Sequence, residues 1–485
     1  MTKTRPVSRR PFVLALLCVQ LLASGCSATE PAGSDGLRWP APAPQPLPVQ
    51  LRSTPNFEAP SASHCARPVS TVEVPGRSAN AGPFPPARRD REELRAAGKS
   101  AAAEAASAAD ASAPRLEEMA PAAPPAFAPQ PAPLQRQRPP QEVVTAGMVD
   151  DNADFSAYLQ FRQRNAGVAQ RARDVSERYL LQVRDAAGQV VPDAEVALRA
   201  ANGAATWART DAGGRVWLHP NAFDPGASPI YEVAARKNGR MATGFLRRGQ
   251  KSALELTLNA GPAPARARLD LVFLVDATGS MGDEIAKLKA TLRSIAAEVA
   301  RLPSRPDTCF GLVAYRDRGD AFLLRRHDLT NDLAGFQGVL DGLQADGGGD
   351  YPEALNEALH DTVHSISWRG SDATRLVVLL ADAPPHLDYG GPQYDEDMLA
   401  ALGKGIKVFS VGASGLDKQG EVVQRQLAQY TGGRFVFLTY RDGANPASGP
   451  GGETPHEVSN YSVQTLDRLI VRLVSEELAK LPRAG

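Results

Sequence analysis

The feature that most constrains this chain is a pair of unbroken apolar runs, each followed at once by an aspartate. Residues 271–275 read Leu-Val-Phe-Leu-Val before Asp276, and residues 376–381 read Leu-Val-Val-Leu-Leu-Ala before Asp382. Continuous apolar runs of this length are typical of buried strands in a parallel sheet, because helices cover both faces. Open α/β sheets bind ligands at the carboxyl ends of such strands. The sequence therefore predicts an α/β fold with acidic groups at its ligand-binding edge.

The turn after the first run offers several oxygen ligands. Asp276 is followed at alternate positions by two hydroxyl side chains, Thr278 and Ser280, and a Gly-rich loop at 347–349 leads into Asp350. Hard cations such as Mg²⁺ prefer oxygen ligands and usually take only one or two carboxylates. Helix caps and turns use the same residue types. Three acidic loops, two of them at strand ends, nevertheless favour a metal site over capping alone.

These residues resemble the von Willebrand factor type A family and its metal-ion-dependent adhesion site. The resemblance covers one whole domain, residues 266–481, and implies a doubly wound, mainly parallel sheet. It implies that Asp276, Thr278 and Ser280 lie in the first ligand loop and that Asp382 lies in the third. Many members have Ser in place of Thr278, a change that keeps the hydroxyl.

The second ligand loop departs further from the family pattern. Gly349 stands where many members carry a ligand Thr, and Asp350 follows it. We assign the ligand role in this loop to Asp350. A carboxylate there adds negative charge and would alter both the metal preference and the affinity of the site.

The resemblance implies a binding protein and not an enzyme. In the family, one coordination position is left to water or to an acidic side chain of a partner, so the metal bridges two proteins. We therefore expect Mg²⁺, or Mn²⁺ or Ca²⁺ in its place, a protein partner, and no small-molecule substrate. His360 and His364 share a helix face as zinc ligands would, but Asp361 stands where the metalloprotease pattern needs Glu. A solvated or internally satisfied helix face is the favoured interpretation of this pair.

Two other functions stay open on the sequence. Gly349 in place of a ligand Thr is compatible with a degenerate metal site in a structural module that assembles a scaffold. A metal-dependent hydrolase needs a positioned base besides the metal, and the sequence indicates none. Motifs of nucleotide-binding and serine-hydrolase enzymes are absent from it. Lys and Arg total 54 and Asp and Glu total 54, so charge does not favour nucleic acid as a partner.

The first residues are typical of an exported protein. Arginines precede a short apolar run at 12–23, which has the pattern of a secretory signal. The next residues resemble the lipobox of bacterial lipoproteins, which implies a signal peptide at 1–25 and an acylated Cys26. Ser27 after that cysteine implies an outer-membrane address in the cell envelope. An ordinary cleaved signal is the alternative, and the export route stays open.

Composition divides the rest of the chain. Residues 26–143 are rich in Pro, Ala, Arg and Ser, which predicts a disordered tether that cannot bury enough apolar surface to fold. Residues 144–178 are expected to form a helical connector. Short strands at 179–262 predict a β-sandwich spacer that resembles carboxypeptidase-regulatory-like or Cna-B-like modules. Cys65 and Cys309 are left for a disulfide, although a buried free Cys309 is the simpler interpretation.

The loop at 386–397 follows the Asp382 strand and is expected to lie near the metal. It contains Tyr389 and Tyr394, and tyrosine is enriched at binding hot spots. We therefore predict these two side chains as partner contacts, although long Gly- and Pro-containing loops also occur without such a role. The charged turn at 316–320 is expected either to line the rim of the metal face or to be a simple hairpin turn.

Overall fold

The computed structural model of the protein describes residues 65, 71–76, 143–262, 264, 266–349 and 351–482. The signal peptide at 1–25, the acylated Cys26 and the metal ligand Asp350 lie outside these residues, and so does the predicted tether at 26–143 except for residues 65, 71–76 and 143. Within the described part of the chain, no helix combines the length and the apolar composition needed to cross a membrane.

Strands and helices largely alternate from residue 268 onward, whereas the described chain before it consists mainly of strands. The strands are β1 (Thr71–Val74), β2 (Thr145–Val149), β3 (Tyr179–Arg184), β4 (Glu195–Ala200), β5 (Ala205–Arg209), β6 (Arg215–Leu218), β7 (Ile230–Lys237), β8 (Arg240–Arg247), β9 (Leu254–Thr257), β10 (Arg268–Asp276), β11 (Asp307–Tyr315), β12 (Leu324–Thr330), β13 (Ala373–Ala381), β14 (Ile406–Gly412), β15 (Phe435–Asp442), β16 (Asn445–Pro450) and β17 (Gln464–Thr465). The α-helices are α1 (Phe155–Arg164), α2 (Gly282–Ala300), α3 (Leu333–Asp341), α4 (Leu355–Ser365), α5 (Tyr394–Lys404), α6 (Lys418–Tyr430) and α7 (Leu466–Leu478).

The main sheet has a parallel centre and antiparallel edges. Its strand order is β1-β12-β11-β10-β13-β14-β15-β2-β17, with β16 paired to β15. Five neighbouring strands run parallel to one another: β11, β10, β13, β14 and β15. In β10, Phe273 pairs with Leu312 of β11 on one side and with Val378 of β13 on the other. The carboxyl ends of β10 and β13 therefore lie side by side.

Helices cover both faces of this sheet. Leu271 and Phe273 of β10 belong to the core under α2, α3 and α7, whereas Val272 and Leu274 belong to the core under α4, α5 and α6. Because alternate residues of β10 enter two different cores, the strand is apolar at every position. The prediction of a doubly wound, mainly parallel sheet is confirmed. The apolar positions of α2 recur at helical spacing and are buried: Ile285, Leu288, Leu292, Ile295 and Val299.

The edges of the sheet correct two predictions about the N-terminal half. Thr71–Val74 falls in the predicted tether, yet it forms a strand that pairs antiparallel with β12. Residues 144–178 were expected to be helical, but they begin with Thr145–Val149, which pairs antiparallel with β15 before α1 follows. Both strands are short, and each forms because a distant sheet edge offers hydrogen-bond partners. Local sequence patterns carry little signal for pairing of that kind.

Cys65 and Cys309 form a disulfide, with their Cα atoms 5.9 Å apart. The expectation of a free Cys309 is therefore wrong. Cys309 lies in β11, next to β12, and β1 pairs with the other side of β12. The segment that contains Cys65 is thus held beside Cys309 by a strand that the sequence pattern did not reveal.

Residues 179–262 form a separate β region of two sheets, as the sequence predicts. Their strand orders are β6-β3-β9 and β5-β4-β7-β8. Leu181 and Val196, from the two sheets, are fully or almost fully buried. Both belong to the same hydrophobic core as the buried side chains of α4, α5 and α6. The β region is therefore packed directly on one helical face of the main sheet.

Buried ion pairs fix this packing. Asp193 of the β region accepts hydrogen bonds from Arg375 at 2.8 Å and from the backbone N–H of Asp372 at 2.6 Å. Arg209 donates to the same carboxylate at 3.1 Å. Burial alone would raise the pKa of Asp193, but the charges of Arg375 and Arg209 lower it below its usual value. Charged groups from both regions therefore neutralise one another, and the β region is a firmly attached body.

His219, buried beside this junction, makes stability depend on pH. Its ring lies 4.7 Å from that of Tyr430, and burial, followed by the charge of Arg178, lowers its pKa to about 3. Since the folded pKa lies below the unfolded value, the unfolded chain takes up the proton first as the pH falls. The stability that the neutral His219 contributes is complete above about pH 6.5 and is lost as the pH falls toward 3.

We expect that lowering the pH from 7 to 5 removes about 2 kcal/mol of unfolding free energy through His219. Urea unfolding of the wild type and of His219→Gln at both pH values measures this. Between pH 7 and pH 5, the free energy of unfolding of the variant should fall by about 2 kcal/mol less than that of the wild type. An equal loss in the two proteins would show that His219 is not responsible.

Candidate metal centre

The first ligand loop folds its oxygen atoms together at the end of β10. Asp276 is fully buried and accepts hydrogen bonds on Oδ1 from the backbone N–H of Thr278 at 3.0 Å and from its hydroxyl at 2.7 Å. The Thr278 and Ser280 hydroxyl oxygens are 3.0 Å apart. The alternating spacing seen in the sequence therefore places one carboxylate and two hydroxyls in a single turn.

Asp382 brings a second carboxylate to the same place from the end of β13. It is only 4% exposed, and it interacts with both Asp276 and Ser280. Burial raises the pKa of both carboxyls, and the charge of Asp382 raises that of Asp276 further. Within the described structure, Asp276 Oδ2 and Asp382 Oδ1 are buried and have no hydrogen-bond partner.

This arrangement fits a divalent cation. Two buried carboxylates beside each other are unfavourable by themselves, because each loses hydration and repels the other. A cation between them would satisfy the two unpartnered oxygens and cancel the repulsion. Two carboxylates and two hydroxyls also match the oxygen ligand set of Mg²⁺, which keeps several waters. Asp276, Thr278, Ser280 and Asp382 are therefore together as the sequence predicts.

The glycines of the second loop let it lie directly on the first loop. The N–H of Gly279 donates to the carbonyl of Gly347 at 3.0 Å, and the N–H of Gly348 donates to Asp320 at 2.8 Å. Gly347 has φ +78°, and a Cβ there would lie 2.5 Å from the Asp320 carboxylate. Only glycine fits this position without displacing the acid.

Two further buried groups belong to the site and were not selected from the sequence. Burial raises the pKa of Tyr315, and the charges of Asp276, Asp382 and Glu353 raise it further. Glu353 is 3% exposed and is held by its backbone, which donates to Pro384 and accepts from His386. The sequence carried two signals for these groups. Glu353 comes four residues after the Gly-rich loop, and Tyr315 comes at the end of a strand. The site therefore contains three described acids and not two.

Comparison with protein families assigns this part of the chain. Residues 270–386 match the model of the von Willebrand factor A domain. The protein contains a von Willebrand factor A domain. The match begins in β10 and ends just beyond Asp382, so it contains the first ligand loop, the Gly-rich loop and Asp382.

Two curated proteins share a similar segment with this chain. The alpha-protein kinase vwkA of Dictyostelium discoideum is 30% identical over 138 residues, which cover 27% of this chain and 21% of the kinase. An ariadne-like RING finger protein of Acanthamoeba polyphaga mimivirus is 30% identical over 121 residues, 25% of this chain and 12% of that protein. The chain thus matches about a fifth or less of these relatives. The sequence similarity therefore covers only a segment of each of these proteins.

Tyr389 lies in the third loop of the von Willebrand factor A domain, where the sequence places it. Its hydroxyl donates to Asp317 at 3.1 Å, and its ring stacks on His386 with centroids 3.6 Å apart. The guanidinium of Arg318 lies 4.0 Å from the ring centroid. The ring is half-buried. The charged turn at 316–320 therefore packs against the third loop and, through Asp320, against the second.

Tyr394 has a different place, and its predicted role as a partner contact is wrong. The side chain is fully buried at the start of α5. Its hydroxyl accepts a hydrogen bond from the backbone N–H of Arg171 at 2.9 Å, and its own N–H donates to Asn356 at 2.8 Å. Tyr394 is a packing residue, because α5 turns it toward the core and away from solvent.

Proposed function

We propose that this protein binds a protein partner through a divalent cation held by Asp276, Thr278, Ser280 and Asp382. The observation that carries the proposal is the pair of unpartnered, buried carboxylate oxygens beside two hydroxyls. Bound there, the cation supplies a positive centre that attracts an acidic side chain of the partner. A von Willebrand factor A domain indicates protein–protein interaction or scaffolding, which agrees with this proposal.

Mg²⁺ is the preferred ion in this proposal, with Mn²⁺ as a substitute of similar ligand preference. The described ligands are two carboxylates and two hydroxyls, a set to which waters must be added. Mg²⁺ usually retains waters in this way, whereas Ca²⁺ takes six to eight oxygens. Asp350 as a further ligand would add a carboxylate to the two of Asp276 and Asp382, and this would favour Ca²⁺.

The surface beside the loops supplies contacts for such a partner. Tyr351 follows the second loop and is 48% exposed, and the charge of Asp382 is among those that raise its pKa. Arg318 is 41% exposed at the third loop and pairs with Glu357 at 2.6 Å. An exposed tyrosine and an arginine near a cation suit a partner surface that carries carboxylates. Tyr351 replaces Tyr394 in our set of contact residues, beside Tyr389.

We also propose that the protein is anchored in the bacterial cell envelope, at the outer membrane, by lipid on Cys26. The lipobox-like residues before Cys26 are the basis for this. The disulfide between Cys65 and Cys309 supports an exported protein, since disulfides persist in oxidising compartments and are rare in the cytosol.

A scaffolding module with a degenerate metal site is the second candidate. Gly349 in place of a ligand Thr favours it, and so does the buried junction of Asp193 with Arg375, which makes one body of two regions. Von Willebrand factor A domains are typically non-catalytic, so a metal-dependent hydrolase is the weakest candidate. The likeness to a named kinase covers only 21% of that protein and adds no support for catalysis.

Metal binding should raise stability by a predictable amount. At a free Mg²⁺ concentration 100 times the dissociation constant, we expect the free energy of unfolding to rise by about 2.7 kcal/mol. Asp276→Asn should lose this increment. Without metal, the same variant should be at least as stable as the wild type, because it removes one of two repelling carboxylates. Urea unfolding with Mg²⁺ and with EDTA measures both effects.

Asp388→Asn is the matched control, because Asp388 is an acid of the third loop whose side chain is 82% exposed. It should keep the full response to Mg²⁺. A partner captured in Mg²⁺ and released by EDTA would complete the case. If Mg²⁺, Mn²⁺ and Ca²⁺ all leave the stability of the wild type unchanged, the metal bridge is wrong and the scaffold is the better proposal.

A further inference from the structure

A second group of metal-ligating side chains lies on α4 and α5, outside the three ligand loops. His360 and His364 are one helical turn apart on α4, and Asp397 lies in the first turn of α5. His360 Nδ1 and His364 Nε2 both contact the same atom, Asp397 Oδ1, at 2.9 and 3.0 Å. The sequence favoured a solvated or satisfied helix face, and it gave no sign of the carboxylate on the next helix.

The separations of these atoms are close to those of a metal site. The three ligand atoms all lie within 4.8 Å of one another. Around a tetrahedral Zn²⁺ with bonds of about 2.0–2.1 Å, neighbouring ligand atoms are about 3.3 Å apart. Each nitrogen would need to move from Asp397 Oδ1 by only a few tenths of an ångström.

A second observation also indicates a ligand. Asp397 is only 3% exposed, and its other carboxylate oxygen, Oδ2, is buried without a hydrogen-bond partner in the described structure. A buried acceptor left without a hydrogen bond is unfavourable, and a charged one is more so. The His360 side chain is 40% exposed, so an ion can reach the group from solvent.

The neighbouring charges are compatible with a cation. The carboxylate of Asp361 adds negative charge beside His360, and Lys404 is the positive group near Asp397. The Lys404 ammonium is held by the carbonyl of Val363 at 2.7 Å. Arg326 pairs with Asp361 at 2.5 Å, which leaves Asp397 and Lys404 as the opposing charges beside the two histidines.

We propose that His360, His364 and Asp397 form a Zn²⁺ site that is chemically distinct from the oxygen-only centre at Asp276. Imidazole ligands select Zn²⁺ and related transition metals, whereas Mg²⁺ and Ca²⁺ require oxygen ligands. Binding uses the neutral imidazole tautomers that carry the proton on the nitrogen away from Asp397. Three protein ligands leave one position of a tetrahedral ion for water or for a group of a partner.

The ion would join the two helices that follow the second and third ligand loops. α4 begins at Leu355, just after Glu353, and α5 begins at Tyr394, after the loop that contains Tyr389. Zn²⁺ would therefore cross-link α4 and α5, the helices that follow these two loops. This role is structural and requires no chemistry at the metal.

The test is calorimetric titration of the full protein with Zn²⁺ in a saturating background of Mg²⁺, together with the visible absorption of bound Co²⁺. We expect His360→Gln and His364→Gln each to weaken Zn²⁺ binding by about 100-fold or more, since loss of an outer-shell partner alone weakens it by about 10–100-fold. Both variants should also lose the Co²⁺ absorption bands of a site with nitrogen ligands.

Two variants serve as controls. Glu396→Gln removes an exposed acid next to Asp397 in the same turn, and Asp276→Asn removes the oxygen-only centre. Both should keep Zn²⁺ affinity within about threefold of the wild type. Equal Zn²⁺ affinity in His360→Gln and in the wild type would overturn the proposal. Loss of Zn²⁺ binding in Asp276→Asn would also overturn it, because the ion would then occupy the first centre.

Discussion

Replacing Arg369 with alanine is expected to lower the free energy of unfolding by about 3–5 kcal/mol. Arg369 is 1% exposed and donates from Nε to Asp270 at 2.6 Å and from Nη1 to Asp307 at 2.9 Å. Asp270 is fully buried in β10, and burial raises its pKa even with Arg369 beside it. Without the guanidinium, this carboxylate would lose its ion-pair partner and keep only the weaker attraction of Arg375. The loss is large compared with the roughly 5–15 kcal/mol that stabilises a typical domain.

Arg293→Ala is the control for Arg369→Ala. Arg293 pairs with Asp341 at 2.8 Å, but the two side chains are 47% and 54% exposed. Exposed pairs contribute about 0–1 kcal/mol, so this variant should remain close to the wild type in urea unfolding. Adding Asp270→Asn to Arg369→Ala should recover part of the stability by removing the unpaired charge. A loss under about 1 kcal/mol for Arg369→Ala would contradict the role assigned to the ion pair.

Removing the disulfide is expected to lower the free energy of unfolding by about 2–5 kcal/mol. The bond joins residues 244 positions apart and holds the segment before β1 against β11. A cross-link over so long a loop restricts the unfolded chain strongly, in the chain-entropy account of disulfides. Urea unfolding of the wild type and of Cys65→Ala, without reductant, measures the difference.

Reductant provides the control for the disulfide experiment. When the unfolding experiments are repeated in a strong thiol reductant, the wild type and Cys65→Ala should unfold at nearly the same urea concentration. Without reductant they should differ by the full amount. Equal stability of the two proteins under oxidising conditions would mean that Cys65 and Cys309 are not bonded in solution.

Most of the candidate metal centre was predictable from sequence because its proposed ligands are local features of strand ends. Asp276 and Asp382 each follow an apolar run, and the alternation of Thr278 and Ser280 after Asp276 is visible in five residues. Parallel strands end at one edge of the sheet, so the two acids had to converge once β10 and β13 were neighbours. Glu353 escaped notice because its burial depends on contacts with Pro384 and His386.

Sequence by itself determined what each segment buries and which chemistry it carries. The unbroken apolar runs predicted strands covered on both faces, and helical spacing predicted the buried face of α2. These conclusions hold because side-chain periodicity is a local property of the backbone.

Tertiary structure alone decided which distant segments meet. It paired Cys65 with Cys309, added Thr71–Val74 to the sheet, buried Tyr394, and placed Asp397 between His360 and His364. Each of these outcomes depends on the relative position of elements far apart in the chain. The periodicity of apolar side chains shows that one face of a helix or strand must be buried. Which other segment buries it depends on the packing of the whole fold.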